Sequence, residues 1–550
     1  MPSETTDMQP APWPLRFEPG EREARKAAGE WLGTNLANAA RTMAHEKPET
    51  IAISDGIQAL DHATLYRRAT DLARGLRELG VEPGDTVSFQ LPNWSEASIL
   101  NLACALAGFV INPVIPIYRQ AELAFILNDC RARIAFIPDS IRSTDYKAMY
   151  GELRARLPGL RHVATVRGSG DLTFEAIEAR GRESTLALEP ADPDSAKLII
   201  YTSGTTGQPK GVIYSHNQAR RPLWASVETW GLQPGDRLLM PSPVTHVTGY
   251  AYGLEMPFHF GTRTMLMERW DGAEAVRLVD EHGISFMIGA TPFLSELVAG
   301  AEKAGTRLES LRIFACGGAA VPPALIDRAN RHFANCRSFR VFGSSECPMV
   351  TQGCMEDMTL AARSDGRVTD WDVRVVDDEG RAVAPGSEGE ILARGPSLFR
   401  GYTDRQATDE AFDPQGYFHT GDLGTVTADG VLTITGRKKD IIIRGGENLS
   451  AKEIEDALHT HPAIREAAVV SMPHPRLGEG VCAYLIPAAG DGRPDAGALT
   501  AFLLEAGLAR QKCPDRIEYV DDLPRTASGK VQKHILRDRI RSTMASEAGA

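Results

Sequence analysis

The sequence of 550 residues has no long apolar run and no recognisable export signal. No window approaches the roughly 20 apolar residues that a membrane-spanning helix needs. Proline and acidic residues occupy the N-terminal segment, where a signal peptide has its apolar core. We therefore expect a cytoplasmic protein without stable membrane association.

Basic residues are outnumbered by acidic ones. Lys and Arg total 60 against 72 Asp and Glu, which gives a formal net charge of −12 without long blocks of like charge. This balance argues against nucleic-acid binding and favours a small ligand with a local cationic site. The eight cysteines include no C-x-x-C pair, so neither a zinc site nor a redox motif is predicted.

Two common catalytic signatures are also absent. The sequence contains no G-x-S-x-G nucleophile elbow, and no segment matches the phosphate-binding pattern G-x-x-x-x-G-K-[ST]. An elbow serine and a Walker-type loop are therefore not predicted.

Strand-like and helix-like segments alternate over the first two thirds of the chain. This alternation favours an α/β architecture with largely parallel, buried strands. After about residue 365, short alternating segments with DEG and DG turns predict β-hairpins. We predict a polar tail over residues 1–30, a large domain over 31–436, a boundary at 437–440 and a small α/β domain over 441–550, with frayed final residues.

The stretch YTSGTTGQPKGV, residues 201–212, directly follows an apolar strand-like run. We place it between that strand and a helix. Backbone N–H groups and hydroxyls in such a turn converge on one point, which suits polyphosphate oxygens. Lys210 would add a mobile positive charge. A surface loop of the same composition is the alternative.

Three further turns carry candidate charged groups. For Glu346 in VFGSSE, one interpretation is a magnesium ligand beside the phosphate loop, and the alternative is a solvated surface residue. Asp422 in FHTGD accepts hydrogen bonds from ribose hydroxyls, or caps its own turn. Lys530 in LPRTASGK reaches a ligand, or lies on the surface like most lysines near a C-terminus.

In this order, YTSGTTGQPKGV, FGSSE, GYFHTGD, GRKKDIIIRGGEN and LPRTASGK resemble the adenylate-forming superfamily of acyl-CoA ligases, luciferase-like enzymes and peptide-synthetase adenylation domains. The resemblance extends over residues 50–535. It implies a large multi-sheet domain with a small β-barrel-like part, followed by a mobile C-terminal domain. It also implies the use of ATP, Mg²⁺ and coenzyme A.

By matched position, the resemblance assigns a nucleotide site. Glu346 is the implied metal ligand, Phe342 stacks on adenine, and Asp422 with Arg437 binds the ribose. The implied ATP- and AMP-binding residues are Thr202, Ser203, Gly204, Thr205, Thr206, Gly207, Lys210, Gly318, Ala319, Ala320, Phe342, Gly343, Ser344, Ser345, Asp422 and Arg437.

Lys530 is implied to bridge the substrate carboxylate and the α-phosphate. The implied catalytic residues are Thr202, His246, Glu346 and Lys530. The sequence departs mildly from the family pattern at Ala320, Phe342 and Ser345, where the family more often has Pro, Tyr and Thr.

The family also alternates between two domain orientations. Lys439 matches its hinge. After rotation, the segment containing Gly445, Gly446 and Glu447 would face the site and admit the pantetheine arm of coenzyme A. Hinge residues absorb backbone changes away from the chemistry.

The predicted acyl pocket is uncharged. Its lining residues are His246, Val247, Gly249, Tyr250, Gly289, Thr291, Cys316, Gly317, Pro348 and Met349. The pocket offers no carboxylate to pair with a substrate ammonium, which disfavours amino acids as substrates. It also offers no cation to pair with a second substrate carboxylate, which disfavours dicarboxylates. By resemblance, His246 occupies the position of an aromatic residue that gates the acyl site in the family. The alternative is that His246 is a hydrogen-bonded residue of the core. The segments most resemble medium-chain fatty acid and cyclohexanecarboxylate CoA ligases, and a bulkier polycyclic or terpenoid acid fits the same features.

We expect coenzyme A as the acyl acceptor, with a discrete carrier protein as the alternative. A luciferase-like monooxygenase would share every motif. A non-catalytic nucleotide sensor would be expected to lack Lys530 or Glu346, and both are present. The sequence leaves open whether the protein is a homodimer.

Overall fold

The computed structural model describes residues 13–202, 209–488, 492–526 and 529–548. Its mixed α/β architecture, with a large N-terminal and a smaller C-terminal domain, confirms the predicted fold class. Up to residue 363, the strands are β1 Ile51–Ser54, β2 Ala59–Asp61, β3 Thr86–Phe89, β4 Val110–Pro113, β5 Ala132–Pro138, β6 Ser140–Ile141, β7 Thr144–Asp145, β8 His162–Val166, β9 Ala196–Thr202, β10 Lys210–Ser215, β11 Arg237–Met240, β12 Arg263–Leu266, β13 Phe286–Gly289, β14 Ile313–Cys316 and β15 Arg337–Arg340.

The helices of the same region cover these sheets. They are α1 Glu21–Ala27, α2 Leu36–Glu46, α3 His62–Glu78, α4 Glu96–Ala107, α5 Gln120–Asp129, α6 Tyr146–Leu153, α7 Phe174–Glu183, α8 His216–Trp230, α9 Met256–Phe260, α10 Gly272–His282, α11 Thr291–Ala304, α12 Pro323–His332 and α13 Met358–Arg363. A π-helical segment, Gly249–Glu255, precedes α9, and a 3₁₀ turn spans Arg154–Arg156.

Two largely parallel sheets form the body. One has the strand order β10-β9-β4-β3-β5-β8 and the other β15-β14-β13-β11-β12-β1-β2. The edge strands β10 and β2 run antiparallel to their neighbours. Helices cover both faces, so the central strands are buried; in β3 the apolar Val87 and Phe89 alternate with the buried polar Thr86 and Ser88.

A five-stranded antiparallel sheet follows, in the order β16-β20-β19-β18-β17. Its elements are β16 Gly366–Arg367, β17 Asp372–Val376, β18 Gly389–Arg394, α14 Arg405–Glu410, β19 Phe418–Val426 and β20 Val431–Arg437. The pairing of β17 with β18 and of β19 with β20 confirms the predicted hairpins.

The chain then forms a small sheet with its own core. Its elements are the 3₁₀ turn Lys438–Asp440, β21 Ile441–Arg444, β22 Glu447–Ser450, α15 Ala451–Leu458, β23 Ile464–His474, β24 Gly478–Pro487, α16 Ala496–Glu505, the 3₁₀ turn Arg510–Lys512, β25 Arg516–Tyr519 and α17 Lys533–Ala548. Apolar clusters around Ile454 and around Leu536 cover the two faces of this sheet. The frayed C-terminal end was a wrong prediction, since α17 continues to residue 548.

The N-terminal segment packs more closely than a polar tail would. Trp13 and Trp31 are buried, and Trp31 donates from Nε1 to the Pro396 carbonyl at 3.0 Å. The buried Arg400 guanidinium pairs with Glu21 at 2.9 Å. Two tryptophans thus anchor residues 13–31, although the surrounding residues are mostly charged.

Among the residues that the structure describes, no helix has both the length and the apolar character needed to cross a bilayer. All eight cysteines are free and buried. Burial raises the pKa of Cys316, Cys336 and Cys347 to about 12, so these thiols stay protonated at neutral pH.

Candidate active site

The glycine-rich stretch connects two antiparallel strands. Thr202 ends β9 and lies opposite Lys210, the first residue of β10. The predicted placement between a strand and a helix was therefore wrong, because residues 210–215 first pair as an antiparallel strand with β9 and α8 begins only after them. Ser203, Gly204, Thr205, Thr206 and Gly207 lie outside the described residues. The ladder brings the two ends of the predicted phosphate loop together.

Glu346 lies in a compact turn after β15. Its carboxylate accepts a hydrogen bond from Ser344 Oγ at 2.9 Å and from the Tyr402 hydroxyl at 3.0 Å. Gly343 is required for this turn, since an added Cβ would lie 2.4 Å from the Met349 backbone nitrogen. The turn therefore holds the carboxylate by hydroxyl donors from two parts of the chain.

The predicted adenine-lining segments follow two neighbouring parallel strands. Gly318, Ala319 and Ala320 come after β14, and Phe342 comes after β15. Thr291 Oγ1 at the start of α11 donates to the Ala320 carbonyl at 2.8 Å. The carboxyl ends of parallel strands are where ligands bind in open α/β sheets, so this location fits the predicted role.

Asp422 and Arg437 are direct cross-strand partners on β19 and β20. Arg437 Nε lies 2.7 Å from Asp422 Oδ1, and Asp422 is almost fully buried. The guanidinium contacts one of the two carboxylate oxygens, Oδ1. The structure thus pairs the two residues that the resemblance assigns to one function.

Lys530 is delivered by a turn between β25 and α17. Thr526 N donates to the Lys530 carbonyl at 2.8 Å, and Lys530 N donates to Thr526 Oγ1 at 3.1 Å. Neighbouring Gly529 packs on the large domain, where an added Cβ would lie 3.7 Å from Pro292 Cγ. The turn therefore docks at the start of α11.

The ammonium of Lys530 lies among charged groups of the cleft. Burial and, to a smaller extent, the Arg437 charge lower the pKa of Lys530 to about 7, although Asp422 opposes them. Burial and the Lys530 charge lower the pKa of His246 to about 4. The structure thus brings Lys530 near the predicted ribose pair and the predicted acyl segment, with His246 neutral at physiological pH.

The predicted acyl segments follow four neighbouring parallel strands, β11, β13, β14 and β15. The segment after β11 contains His246, Val247 and Gly249. Gly289 ends β13, and Thr291 begins α11. The turn after β14 contains Gly317, and the turn after β15 contains Pro348 and Met349. Gly249 and Gly317 permit close backbone packing, since an added Cβ would lie 2.1 Å from the Pro243 carbonyl oxygen and 2.6 Å from that of Val341.

Cys316 and Tyr250 are predicted pocket residues whose side chains lie in the core. Cys316 has no exposed surface and packs in the cluster beneath β14. Tyr250 is also buried, and its hydroxyl donates to Asn101 Oδ1 at 2.5 Å. Sequence position alone placed them at the pocket, whereas their side-chain directions depend on strand register and on the π-helical turn.

The predicted hinge and coenzyme A segments lie at the start of the small domain. Lys439 is in the 3₁₀ turn between β20 and β21, and burial lowers its pKa. Gly445 and Gly446 form the exposed tip of the β21–β22 hairpin, and Glu447 begins β22. Gly445 N donates to the Leu477 carbonyl at 2.8 Å, a contact within the small domain.

Sequence reasoning missed two polar residues that organise the site. Tyr402 contacts Glu346, and Asn93 Nδ2 donates to the Met240, Ser242 and Met267 carbonyls while its Oδ1 accepts from Val244 N at 2.8 Å. Through these contacts Asn93 anchors the segment that leads to His246. Neither residue stands in a recognisable local pattern.

The site fits a magnesium ion that is bound mainly by substrate. Within the described part of the chain, Glu346 forms no salt bridge, and no cluster of three or more His, Cys, Asp or Glu could hold a metal. Mg²⁺ is typically held by one or two carboxylates together with substrate phosphates and water. A lone carboxylate near the phosphate loop meets that requirement.

Family models match both parts of the chain. A model described as AMP-binding enzyme matches residues 40–403, and one described as AMP-binding enzyme C-terminal domain matches residues 453–530. The chain belongs to the AMP-binding enzyme family. The predicted membership of the adenylate-forming superfamily is thereby confirmed. The first match includes Lys210, Glu346 and Tyr402, and the second ends at Lys530.

Known proteins resemble this AMP-binding enzyme over nearly its full length. The medium-chain fatty-acid–CoA ligase of Escherichia coli is 35% identical over 96% of this chain and 94% of its own. The 2,3-dihydroxybenzoate-AMP ligase of Bacillus subtilis is 32% identical over 96% and 97%. The structure of ATP-bound MatB from Rhodopseudomonas palustris matches with a TM-score of 0.81 and 27% identity, over 92% of this chain and 99% of that one. This AMP-binding enzyme is therefore an ATP-dependent adenylate-forming ligase.

Proposed function

We propose that the protein activates a carboxylic acid as an acyl adenylate with release of pyrophosphate, and then transfers the acyl group to coenzyme A. The observation that carries this proposal is the Lys530 ammonium, docked from the small domain beside Asp422, Arg437 and His246. A positive charge between the ribose pair and the acyl segment is what the first half-reaction requires.

The first step brings two anions together. The substrate carboxylate attacks the α-phosphate of ATP, and negative charge develops on the transferring group. Lys530 offsets this repulsion, and Lys210 with the N–H groups of the phosphate loop holds the leaving pyrophosphate. Preorganised charges of this kind commonly contribute about 3–4 kcal/mol each.

Glu346 is the proposed metal ligand. A bound magnesium ion would neutralise phosphate charge and help to align the leaving group. The chain's own contribution is to hold the carboxylate in one orientation through the Ser344 and Tyr402 hydroxyls. Asp422 and Arg437 hold the ribose, so that the α-phosphate stays fixed relative to Lys530.

The second step needs different groups at the same carbon. The coenzyme A thiolate attacks the acyl carbonyl and AMP leaves, so Lys530 must withdraw to admit the thiol. We assign this change to rotation at Lys439, which would bring Gly445, Gly446 and Glu447 to the site. Lys530 belongs to the small domain and docks against the start of α11 through its turn, which supports such an exchange.

The acid is proposed to be uncharged apart from its reacting carboxylate, and medium-chain, alicyclic or polycyclic in shape. Residues 244–253 contain no carboxylate, and the acid nearest to them, Glu255, is already paired with Lys197 at 2.8 Å. A substrate ammonium would therefore be buried without a partner, which is costly. The name of the E. coli relative supports a fatty acid.

A discrete carrier protein is the second candidate acceptor. The names of two relatives at 32% identity describe 2,3-dihydroxybenzoate-AMP ligases and do not mention coenzyme A, which supports this alternative. The two candidates differ only in the thiol that receives the acyl group. The first half-reaction is the same for coenzyme A and for a carrier protein.

A pyrophosphate-release screen tests the function. Linear, alicyclic, aromatic and polycyclic acids, with amino acids and dicarboxylates as contrasts, are each supplied with Mg-ATP, and coenzyme A is then added. We expect acid-dependent pyrophosphate release with an uncharged acid, followed by thioester formation. A preference for amino acids would overturn the pocket assignment. Adenylate that accumulates beside unused coenzyme A would favour the carrier protein, and light with oxygen uptake would favour a luciferase-like reaction.

A further inference from the structure

Tyr402 lies between the two charged groups of the proposed phosphate site. Its hydroxyl donates to Glu346 Oε1 at 3.0 Å, and the ring faces the Lys210 ammonium, which lies 4.9 Å from the ring centroid. Tyr402 is 5% exposed, so both contacts are protected from solvent. A single aromatic side chain thus contacts the proposed metal ligand and the proposed phosphate-binding lysine.

Opposite charges flank this ring without pairing. Among the residues that the structure describes, neither Lys210 nor Glu346 forms a salt bridge, and each instead contacts Tyr402. A lysine and a glutamate that remain apart can receive a ligand that carries both signs of charge. A metal–triphosphate complex is such a ligand, since its cation suits the carboxylate and its oxygens suit the ammonium.

The two Glu346 oxygens are held separately. Ser344 Oγ donates to Oε2 at 2.9 Å and Tyr402 donates to Oε1. Two donors on one carboxylate fix its plane while each oxygen keeps a further lone pair. A tyrosine hydroxyl is protonated at neutral pH, so that of Tyr402 can act as the donor.

The backbone around Tyr402 is tied to the strand that leaves the phosphate loop. Tyr402 forms a bridge with Val212 of β10, and Thr403 N donates to the Gly211 carbonyl at 2.8 Å. Phe399 packs on the tyrosine ring with centroids 4.8 Å apart, and Phe399 N donates to the Glu346 carbonyl at 2.9 Å. The same segment therefore holds both the loop exit and the Glu346 turn in place.

We infer that Tyr402 is a positioning residue, whose hydroxyl orients Glu346 toward the divalent cation and whose ring holds Lys210 for the phosphates of the bound nucleotide. The inference rests on the proposed function, because it assigns the metal to Glu346. It adds that one tyrosine couples metal binding to nucleotide binding through two separable contacts.

The test separates the two contacts by substitution. Tyr402→Phe removes the hydroxyl and keeps the ring, whereas Tyr402→Leu removes both. Mn²⁺ binding is measured by electron paramagnetic resonance in the presence of α,β-methylene-ATP, and metal-free binding of the same nucleotide by calorimetry. We expect Tyr402→Phe to weaken Mn²⁺ binding about 10- to 100-fold, since groups that orient a metal ligand have effects of that size.

The same variants should differ in metal-free nucleotide binding. Tyr402→Phe is expected to bind the metal-free nucleotide like the wild type, while Tyr402→Leu binds it about two- to fivefold more weakly because the cation–π contact is lost. Equal Mn²⁺ affinity in the wild type and Tyr402→Phe would overturn the role of the hydroxyl. Equal metal-free affinity in all three proteins would overturn the role of the ring.

Tyr417→Phe is the matched control. Tyr417 is also buried, and its hydroxyl also donates to a carboxylate, that of Asp372, on the antiparallel sheet away from Glu346. We expect no change in Mn²⁺ affinity, and an equal loss in this control would mean that the effect is general destabilisation. Wild-type protein that binds Mn²⁺ as expected yet releases no pyrophosphate with any acid would instead contradict the proposed function.

Discussion

The phosphate side and the carboxylate side of the site are built in different ways. On the phosphate side, Glu346 and both of its hydroxyl donors, Ser344 and Tyr402, belong to the large domain. On the carboxylate side, Lys530 comes from the small domain, and the hydrogen bonds that shape its turn are to its own neighbours, such as Thr526. The first arrangement is independent of domain orientation, whereas the second exists only while the small domain is docked.

Desolvation explains why the two sides differ. Burial lowers the pKa of the docked Lys530 to about 7, so its charged form is disfavoured until anionic substrates lie beside it. Glu346 has two hydrogen-bond donors before any ligand arrives. The charged form of Lys530 is thus destabilised in the docked orientation, whereas the Glu346 carboxylate is already hydrogen-bonded.

Removal of the Lys530 charge is expected to have the largest effect on the rate of adenylation. Lys530→Ala should reduce adenylation about 10²- to 10³-fold, because the repulsion between carboxylate and α-phosphate is no longer offset. Thioester formation from supplied acyl adenylate should continue. Pyrophosphate release and thioester formation are assayed separately, and unchanged adenylation would contradict the role of Lys530.

A restricted hinge tests whether the small domain, which carries Lys530, must rotate between the two half-reactions. Lys439→Pro fixes φ near −65° in the turn between the domains. If the docked orientation persists, adenylation should remain, while thioester formation should fall about 10²-fold, since misplaced reacting groups cost that much. Lys439→Ala, which removes the charge without restricting the backbone, is the control and should retain both activities. Equal losses in the two half-reactions would reject the hinge assignment.

The pH dependence distinguishes the two sides without a change in fold. The lysine acts in its charged form and has a lowered pKa of about 7, so kcat/KM for the acid should fall about tenfold per pH unit above that value. His246, with a pKa of about 4, is neutral across this range. Lys530→Arg should remove the decline, because arginine stays charged. A decline that persists in Lys530→Arg would assign the titration to another group.

The smallest effect is expected from loosening the Lys530 turn. Thr526→Val removes the hydroxyl oxygen that accepts from Lys530 N, a hydrogen bond worth about 1 kcal/mol. Adenylation should fall about fivefold, while the affinity for metal-free nucleotide stays constant. Steady-state kinetics and calorimetry on the same preparation measure the two quantities, and a change in nucleotide affinity alone would contradict this separation.

Much of the candidate site could be predicted because its residues stand in local patterns. The approach of Asp422 to Arg437 and of Lys530 to His246 agrees with the assigned positions. The predicted strand-to-helix placement of the phosphate loop failed, because the pairing of residues 210–215 with β9 depends on a neighbour and not on periodicity. Cys316 and Tyr250 were misplaced for a related reason, since burial depends on which way a strand or π-helical turn faces.

The sequence by itself determined the family, the alternation of helices and strands, and the short motifs that contain Lys210, Glu346, Asp422 and Lys530. Glu346 and Lys530 lie in turns as predicted, whereas Lys210 begins β10 and Asp422 lies within β19. Glycine, serine and threonine impose turn conformations locally, and apolar periodicity marks buried strands, so both are readable residue by residue. Only the tertiary structure decided that Tyr402, 56 residues beyond Glu346, holds its carboxylate, and that the Lys530 turn docks on the start of α11. A hydrogen bond between distant residues leaves no periodic trace in a sequence, because it depends on packing that the whole chain must first complete.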